Sequence, residues 1–201
     1  MQEKILLEKF NLWTKSSSPE RARIEIFNQI RDIPYYLVPA LPDPREWAAS
    51  ILTVNRASCS PKHYLMGMLF AKLEIPIKYA TYPFKWGEQK LNYPAELLKL
   101  AQRSPIVYHV ACRAWLENKW VLLDASWDIG LKKAGFTVNE NWDGFSDTVN
   151  SVTPLDEIIH ESLEERLEFV EEKKALYTEE QKLVYGRFIE GINTWLEGLR
   201  K

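Results

Sequence analysis

The stretch IVYHVACRAWLENKWVLLDASWD, residues 106–128, holds two apolar, β-branched and aromatic runs on either side of Glu117-Asn118. Runs of that kind suit strands, and asparagine tolerates the left-handed backbone that a two-residue hairpin turn demands. The spacing predicts an antiparallel hairpin from Ile106 to Leu116 and from Lys119 to Ser126. With Leu116 facing Lys119, stepping back along both strands sets Ala111 opposite Asp124. His109 and Asp124 then share one face as diagonal neighbours, roughly 7–8 Å apart at the backbone, a gap that an imidazole and a carboxylate can span. Tyr108, Val110, Cys112, Val121 and Leu123 take the other face, so Cys112 belongs to the core side, away from His109.

Upstream, residues 55–82 read NRASCSPKHYLMGMLFAKLEIPIKYATY. Tyr64, Leu65, Met68, Leu69 and Leu73 recur at spacings of three and four, which predicts a buried helix from Ser60 to Lys72 with Pro61 in its first turn. Cys59 stands at the start of that helix. Ile75 to Tyr82 follows as a strand. Nearer the N-terminus, Ser18-Pro19-Glu20 is a cap, a first-turn proline and a first-turn acid ahead of a helix that Ile33-Pro34 ends. Pro39 and Pro42 make Tyr35 to Pro44 an extended connection. Arg45 to Val54 and Pro94 to Gln102 read as short helices. Beyond the hairpin, Gly130 to Ser151 reads as a loop, and Pro154 to Ala175 and Thr178 to Leu199 as charged amphipathic helices. The expected class is α+β, with a core over 1–153 and a helical extension over 154–201 packed on it.

Composition narrows the function. With 46% apolar residues in 201, the chain can bury a substantial core. Its 26 basic and 28 acidic residues are intermixed and leave a net charge of -2, so nothing favours nucleic acid or an anionic membrane surface as partner. No apolar run approaches the roughly 18 residues of a membrane span, and MQEKILLEKFNLW lacks the pattern of a secretion signal. Two cysteines do not make a disulfide framework, so reduced thiols and a cytoplasmic location are expected.

A thiol becomes a nucleophile when its pKa is lowered, and a helix N-terminus beside an imidazole does that. Cys59 has the first feature by position. His109 supplies the second, and Asp124 fixes the ring's tautomer. The three residues form a prospective Cys-His-Asp triad. The Cys59 backbone N–H serves as one oxyanion donor, with Tyr35, Tyr36 or Asn55 as the choices for a second.

On these residues the chain resembles the transglutaminase-like superfamily of papain-like cysteine enzymes. ASCSPKHYLMGMLFAKLEIPIKY is similar to that family's nucleophile helix and the strand after it, and YHVACRAWLENKWVLLDASWD to its histidine and aspartate strands. The likeness runs from about Ala22 to Asp128. It departs at Ala57 and Glu74, where the family has glycine, so a different local backbone is expected at both. The resemblance implies a papain-like core, a nucleophile helix packed on an antiparallel sheet, and a peptide or protein amide as substrate, attacked through a Cys59 thioacyl intermediate. Hydrolysis is the default over transfer to an amine. No cofactor and no metal are implied. A non-catalytic protein-binding module on the same fold is the alternative, and the oligomeric state is open.

Other residues take plainer roles. His63 lies on the same helical face as Cys59 and is assigned a polar edge role, and His160 a solvated helix position. Trp86, Trp115, Trp120 and Trp127 are expected to pack in or around the hairpin. Arg113 either neutralises a carboxylate or contacts substrate. The runs Glu164-Glu165-Arg166 and Glu171-Glu172-Lys173-Lys174 read as solvated helix faces.

Overall fold

Glu117 and Asn118 both adopt positive φ, 47° and 63°, the geometry of a two-residue turn whose twist matches its strands. The computed structural model describes residues 2–15, 17–37 and 44–201. In it the turn joins β2 (Val107–Leu116) to β3 (Lys119–Leu123), with Leu116 opposite Lys119 and Cys112 opposite Leu123, the register that the spacing predicts. β1 (Ile77–Phe84) pairs antiparallel with the other edge of β2, setting Tyr82 opposite His109. A short edge strand, β4 (Ile158–His160), completes a four-stranded antiparallel sheet in the order β3-β2-β1-β4.

Helices α1 (Gln2–Trp13), α2 (Pro19–Arg31) and α3 (Pro44–Val54) precede α4 (Cys59–Ala71). Ser18 starts α2 by accepting the Arg21 N–H, as expected of a serine ahead of proline. Helix α4 packs against β2 and against α2 and α3, which explains why it is apolar on nearly every face. Tyr64, Leu65, Met66, Leu69 and Phe70 on it are all buried. Gly67 lets it approach β1, since a methyl group there would collide with the Tyr79 hydroxyl.

Glu74, just after α4, has φ 59°. It therefore takes the left-handed backbone that glycine adopts without strain, at a cost of about 1–2 kcal/mol. The departure from glycine alters the residue and leaves a glycine-type turn in place, contrary to the expectation of a different backbone. Ala57 is fully buried and forms a parallel bridge with Tyr35. Most of the proline-rich connection, residues 38–43, lies outside the described residues.

Helix α5 (Ala95–Arg103) packs against α7 (Glu179–Leu199), and α6 (Leu163–Ala175) lies against β1. The segment after Pro154 is not the uninterrupted helix that its charge pattern suggests. β4 comes first, and α6 begins at Ser162, whose hydroxyl accepts the Glu165 N–H. His160 consequently sits in the sheet, buried, with Nε2 3.1 Å from the Thr81 hydroxyl. Arg166 is also buried, at 2% exposure, and is no part of a solvated face. Among the described residues no helix is long and apolar enough to cross a membrane.

Candidate active site

Cys59 is the first residue of α4, and its N-cap Ser58 makes no side-chain capping bond. First-turn N–H groups have no intrahelical acceptor, and Pro61 has none to offer, so the Cys59 and Ser60 amides are the donors at this helix end. Burial opposes ionisation of the thiol. The positive charge and hydrogen bond of His109, the Val110 N–H and the more distant Arg166 outweigh it and bring Cys59 down to about 7.

His109 comes from β2 and is 3% exposed. Its Nε2 lies 2.8 Å from Asp124 Oδ2, which leaves Nδ1 for the hydrogen bond with Cys59. Burial disfavours the imidazolium, but Asp124 and Cys59 together raise its pKa to about 10. The lowered thiol and the raised imidazole together favour passage of the Cys59 proton to His109.

Asp124 is buried, and burial alone would raise its pKa. The attraction and hydrogen bond of His109, with further help from His63 and Ser126, hold it well below the usual carboxylate range. Oδ2 also accepts the Ser151 N–H at 2.7 Å, and Oδ1 accepts the Ser126 N–H at 3.1 Å. Its own N–H donates to the Thr148 hydroxyl and its carbonyl accepts from Asn139. The loop between β3 and β4 thus wraps the carboxylate, fixing both oxygens.

His63 departs from the polar edge role expected of it. It is fully buried. Nδ1 donates to the Cys59 carbonyl at 2.8 Å and Nε2 accepts the Ala125 N–H at 3.0 Å. That pairing requires the neutral ring, and burial pushes its pKa down to about 4 despite Asp124 nearby. The residue ties α4 to the strand end that carries Asp124. Cys112 is fully buried with Sγ donating to the His63 carbonyl, and burial pushes its thiol up.

Lys62, one residue before His63, makes a second tie. Fully buried, its Nζ donates to the carbonyls of Arg31, Ile33 and Ser126 at 2.9, 2.9 and 2.7 Å. Three acceptors match the three donors of an ammonium group. Lys62→Met should leave three buried carbonyls unpaired, at about 1–3 kcal/mol each. A loss of at least about 3 kcal/mol corresponds to a melting temperature roughly 6–12 °C lower for a chain of this size. An unchanged thermal melt would show that water replaces the ammonium at no cost.

Of the side chains considered as a second oxyanion donor, Tyr35 is the one at the cleft. Its hydroxyl hydrogen-bonds with Cys59, and its ring packs on Trp127 with centroids 4.4 Å apart. Tyr36 faces the other way, under the Arg56 guanidinium at 4.6 Å, because adjacent residues of extended chain point to opposite sides. Asn55, with φ 52°, ends α3 in the left-handed region. Its side chain lines a separate depression with Lys9 and Trp13. Neither Tyr36 nor Asn55 reaches the cleft.

Tyr35 is held from both sides of its backbone. Its N–H donates to Asp128 Oδ2 at 2.8 Å, and its carbonyl accepts from Arg200 Nη2 at 2.8 Å. Arg200 also grips both Asp128 oxygens, at 3.1 and 2.7 Å. Burial would raise the Asp128 pKa, but Arg200 and the Tyr35 N–H hold it down.

The cleft beside Cys59 encloses about 180 Å³. Its walls include Trp47, Phe84, Trp86, Trp127, Tyr185 and Ile189. Trp115 and Trp120 pack on each other at the far end of the hairpin, 5.4 Å between centroids. Arg113 is engaged by Glu157 at 2.6 Å and by Asp147 at 3.6 Å, so it neutralises carboxylates. Among the described residues no three His, Cys, Asp or Glu side chains converge as a metal-binding set.

No protein-family model matches the chain, and no curated protein matches it. A solved structure from Cytophaga hutchinsonii, described as a putative cysteine protease, is similar over 65% of this chain, with 20% identity and a TM-score of 0.43. The chain spans 39% of the length of that protein.

Proposed function

We propose that the chain is a transglutaminase-like cysteine hydrolase or acyltransferase acting on peptide or amide bonds, with hydrolysis as the default. The observation that carries this reading is the unbroken line from the Cys59 thiol at a helix N-terminus, through His109, to a buried and fully hydrogen-bonded Asp124. The Cys59 thiolate attacks the amide carbonyl carbon, and the carbonyl oxygen takes up the negative charge. The Cys59 N–H and the Tyr35 hydroxyl are the donors nearest to that oxygen. As the tetrahedral intermediate collapses, the His109 imidazolium gives its proton to the departing amine and a thioester remains. Water then attacks the thioester with neutral His109 accepting its proton, and collapse releases the acid and restores the Cys59 thiolate beside the His109 imidazolium. The segment 154–201 acts as a cover, since Tyr185 and Ile189 of α7 close one wall.

The two cysteines test the reading against a binding module. At pH 6 a thiol with a pKa of about 7 is roughly one-tenth thiolate, while a buried thiol with a raised pKa is essentially uncharged. Iodoacetamide should therefore label Cys59 far faster than Cys112, and denaturation should abolish the contrast. In His109→Ala the ion pair is gone and burial is unopposed, so the Cys59 pKa returns to 9 or above. The thiolate fraction at pH 6 then falls about 100-fold. Greater intrinsic nucleophilicity recovers roughly 8-fold of that, leaving a net slowing of at least about 10-fold. As the pH rises toward the variant's own pKa its thiol ionises too, so the gap should narrow. A Cys59 inert at every pH, or indifferent to His109 at pH 6, would leave the binding-module reading in its place.

A further inference from the structure

Cations without counter-ions gather on one side of the cleft. Lys174, in the last turn of α6, lines the cleft wall together with Cys59 and Tyr108. Its ammonium makes no hydrogen bond or ion pair among the described residues. Its neighbour Lys173 is occupied, with Nζ 5.2 Å from the centre of the Phe169 ring. Behind this wall lies Arg166, 2% exposed. Its guanidinium donates to the Tyr64 hydroxyl and, at 3.4 Å, to the Tyr108 carbonyl, while Nε has no partner. No carboxylate is within ion-pair reach of it among the described residues. A buried guanidinium ordinarily has an anionic partner, because its desolvation is otherwise uncompensated. Tyr64 in turn hydrogen-bonds Ser60, which faces the cleft, so the positive field of Arg166 opens toward the same space as Lys174.

The remaining charges near the thiol sum to one negative unit. Asp124 and the Cys59 thiolate are negative and His109 is positive, so Arg166 and Lys174 leave the locality one unit positive. The rest of the cleft wall is aromatic and aliphatic apart from Ser58, Ser60, Ser126 and Ser151. Its volume of about 180 Å³ suits one compact apolar group, since a cavity of about 150 Å³ holds benzene. Desolvation at the cleft wall and the repulsion of Arg166 lower the pKa of Lys174, while the nearby Cys59 acts in the opposite direction.

We propose that Lys174, backed by the buried Arg166, forms an anion subsite at the mouth of the cleft, so that the acyl donor is a peptide-like amide carrying a carboxylate beside a compact apolar group. This rests on the proposed chemistry at Cys59 and names the substrate class for it. Lys174 binds the carboxylate directly. Arg166 touches no substrate and contributes through its field, while the aromatic walls take the apolar group.

Phenylacetate and its neutral isostere phenylacetamide serve as the probes. Each is titrated into the intact protein at pH 7 and matched low ionic strength, with tryptophan fluorescence reporting occupancy through Trp47, Trp86 and Trp127. Phenylacetate should bind about 3- to 10-fold more tightly, and the preference should shrink in high salt as screening grows. Lys174→Met should bring the two ligands to equal affinity while leaving phenylacetamide binding unchanged, and Lys174→Arg should retain the preference. Failure of both ligands to bind, equal binding to the unaltered protein, or a preference that survives Lys174→Met would overturn the subsite. These readouts need no turnover, so failure of the subsite is distinct from failure of the nucleophile, which appears in the alkylation of Cys59.

Discussion

Cys59→Ala is expected to abolish amide turnover, with a loss on the order of 10⁶ in kcat if the triad acts as a unit, as it does in serine proteases. In the proposed reaction the thiol forms the covalent bond, and among the described residues lining the cleft no other side chain is a nucleophile of comparable strength. The fold should survive, because the core of α4 is made by Tyr64, Leu65, Met66, Leu69 and Phe70. Cys59 contributes to that core one sulfur at the edge of a cleft. A melting curve within a few degrees of the unaltered protein, together with no product, is the expected pairing. Undiminished turnover by the alanine variant would remove Cys59 from the reaction.

Asp124→Asn should also be severe, with a loss of up to about 10⁴ in rate, the magnitude seen when an asparagine favours the wrong imidazole tautomer. The structure adds a second cost. The carboxylate accepts from three donors, His109 Nε2 and the N–H groups of Ser126 and Ser151. An asparagine side chain has a single oxygen, so its NH₂ must confront at least one of those N–H groups. That leaves a buried donor unpaired, at about 1–3 kcal/mol. The melting temperature should therefore fall by several degrees, unlike in Cys59→Ala. Loss of the carboxylate charge also withdraws the strongest support for the His109 imidazolium, so Cys59 labelling at pH 6 should slow as well. Normal kinetics in this variant would show that His109 is oriented by something other than Asp124.

The hairpin was readable because its turn residues, strand lengths and alternation agree on one register, and that register alone brings His109 and Asp124 within reach. The start of α2 was readable for a similar reason, since Ser18 and Pro19 act within one turn. Features set by distant contacts were not. His63 becomes a buried strut only because the chain at Ala125 folds over it. The choice between Tyr35 and Tyr36 depends on the bridge to Ala57, which fixes the side of the extended chain that faces the cleft. β4 has three residues, too few for its alternation to stand out from the charged segment around it. Ser162, three residues before Glu165, does signal the start of α6. The burial of Arg166 follows from the position of that helix against Tyr64, which a run of charges conceals.

The grip of Arg200 on Asp128 and on the Tyr35 carbonyl joins positions 165 residues apart along the chain. During synthesis the N-terminal parts fold first, at about 5–20 residues per second. Cys59, His109 and Asp124 are therefore all made well before Arg200. At those speeds, roughly 8–33 s separate the making of Tyr35 from that of the arginine that holds it. Until α7 docks, Tyr35 lacks one of its two anchors, and the wall formed by Tyr185 and Ile189 is missing. Until α7 emerges the nascent chain thus carries its thiol in an open, incompletely assembled cleft, which takes its finished shape only when α7 closes a loop of 165 residues.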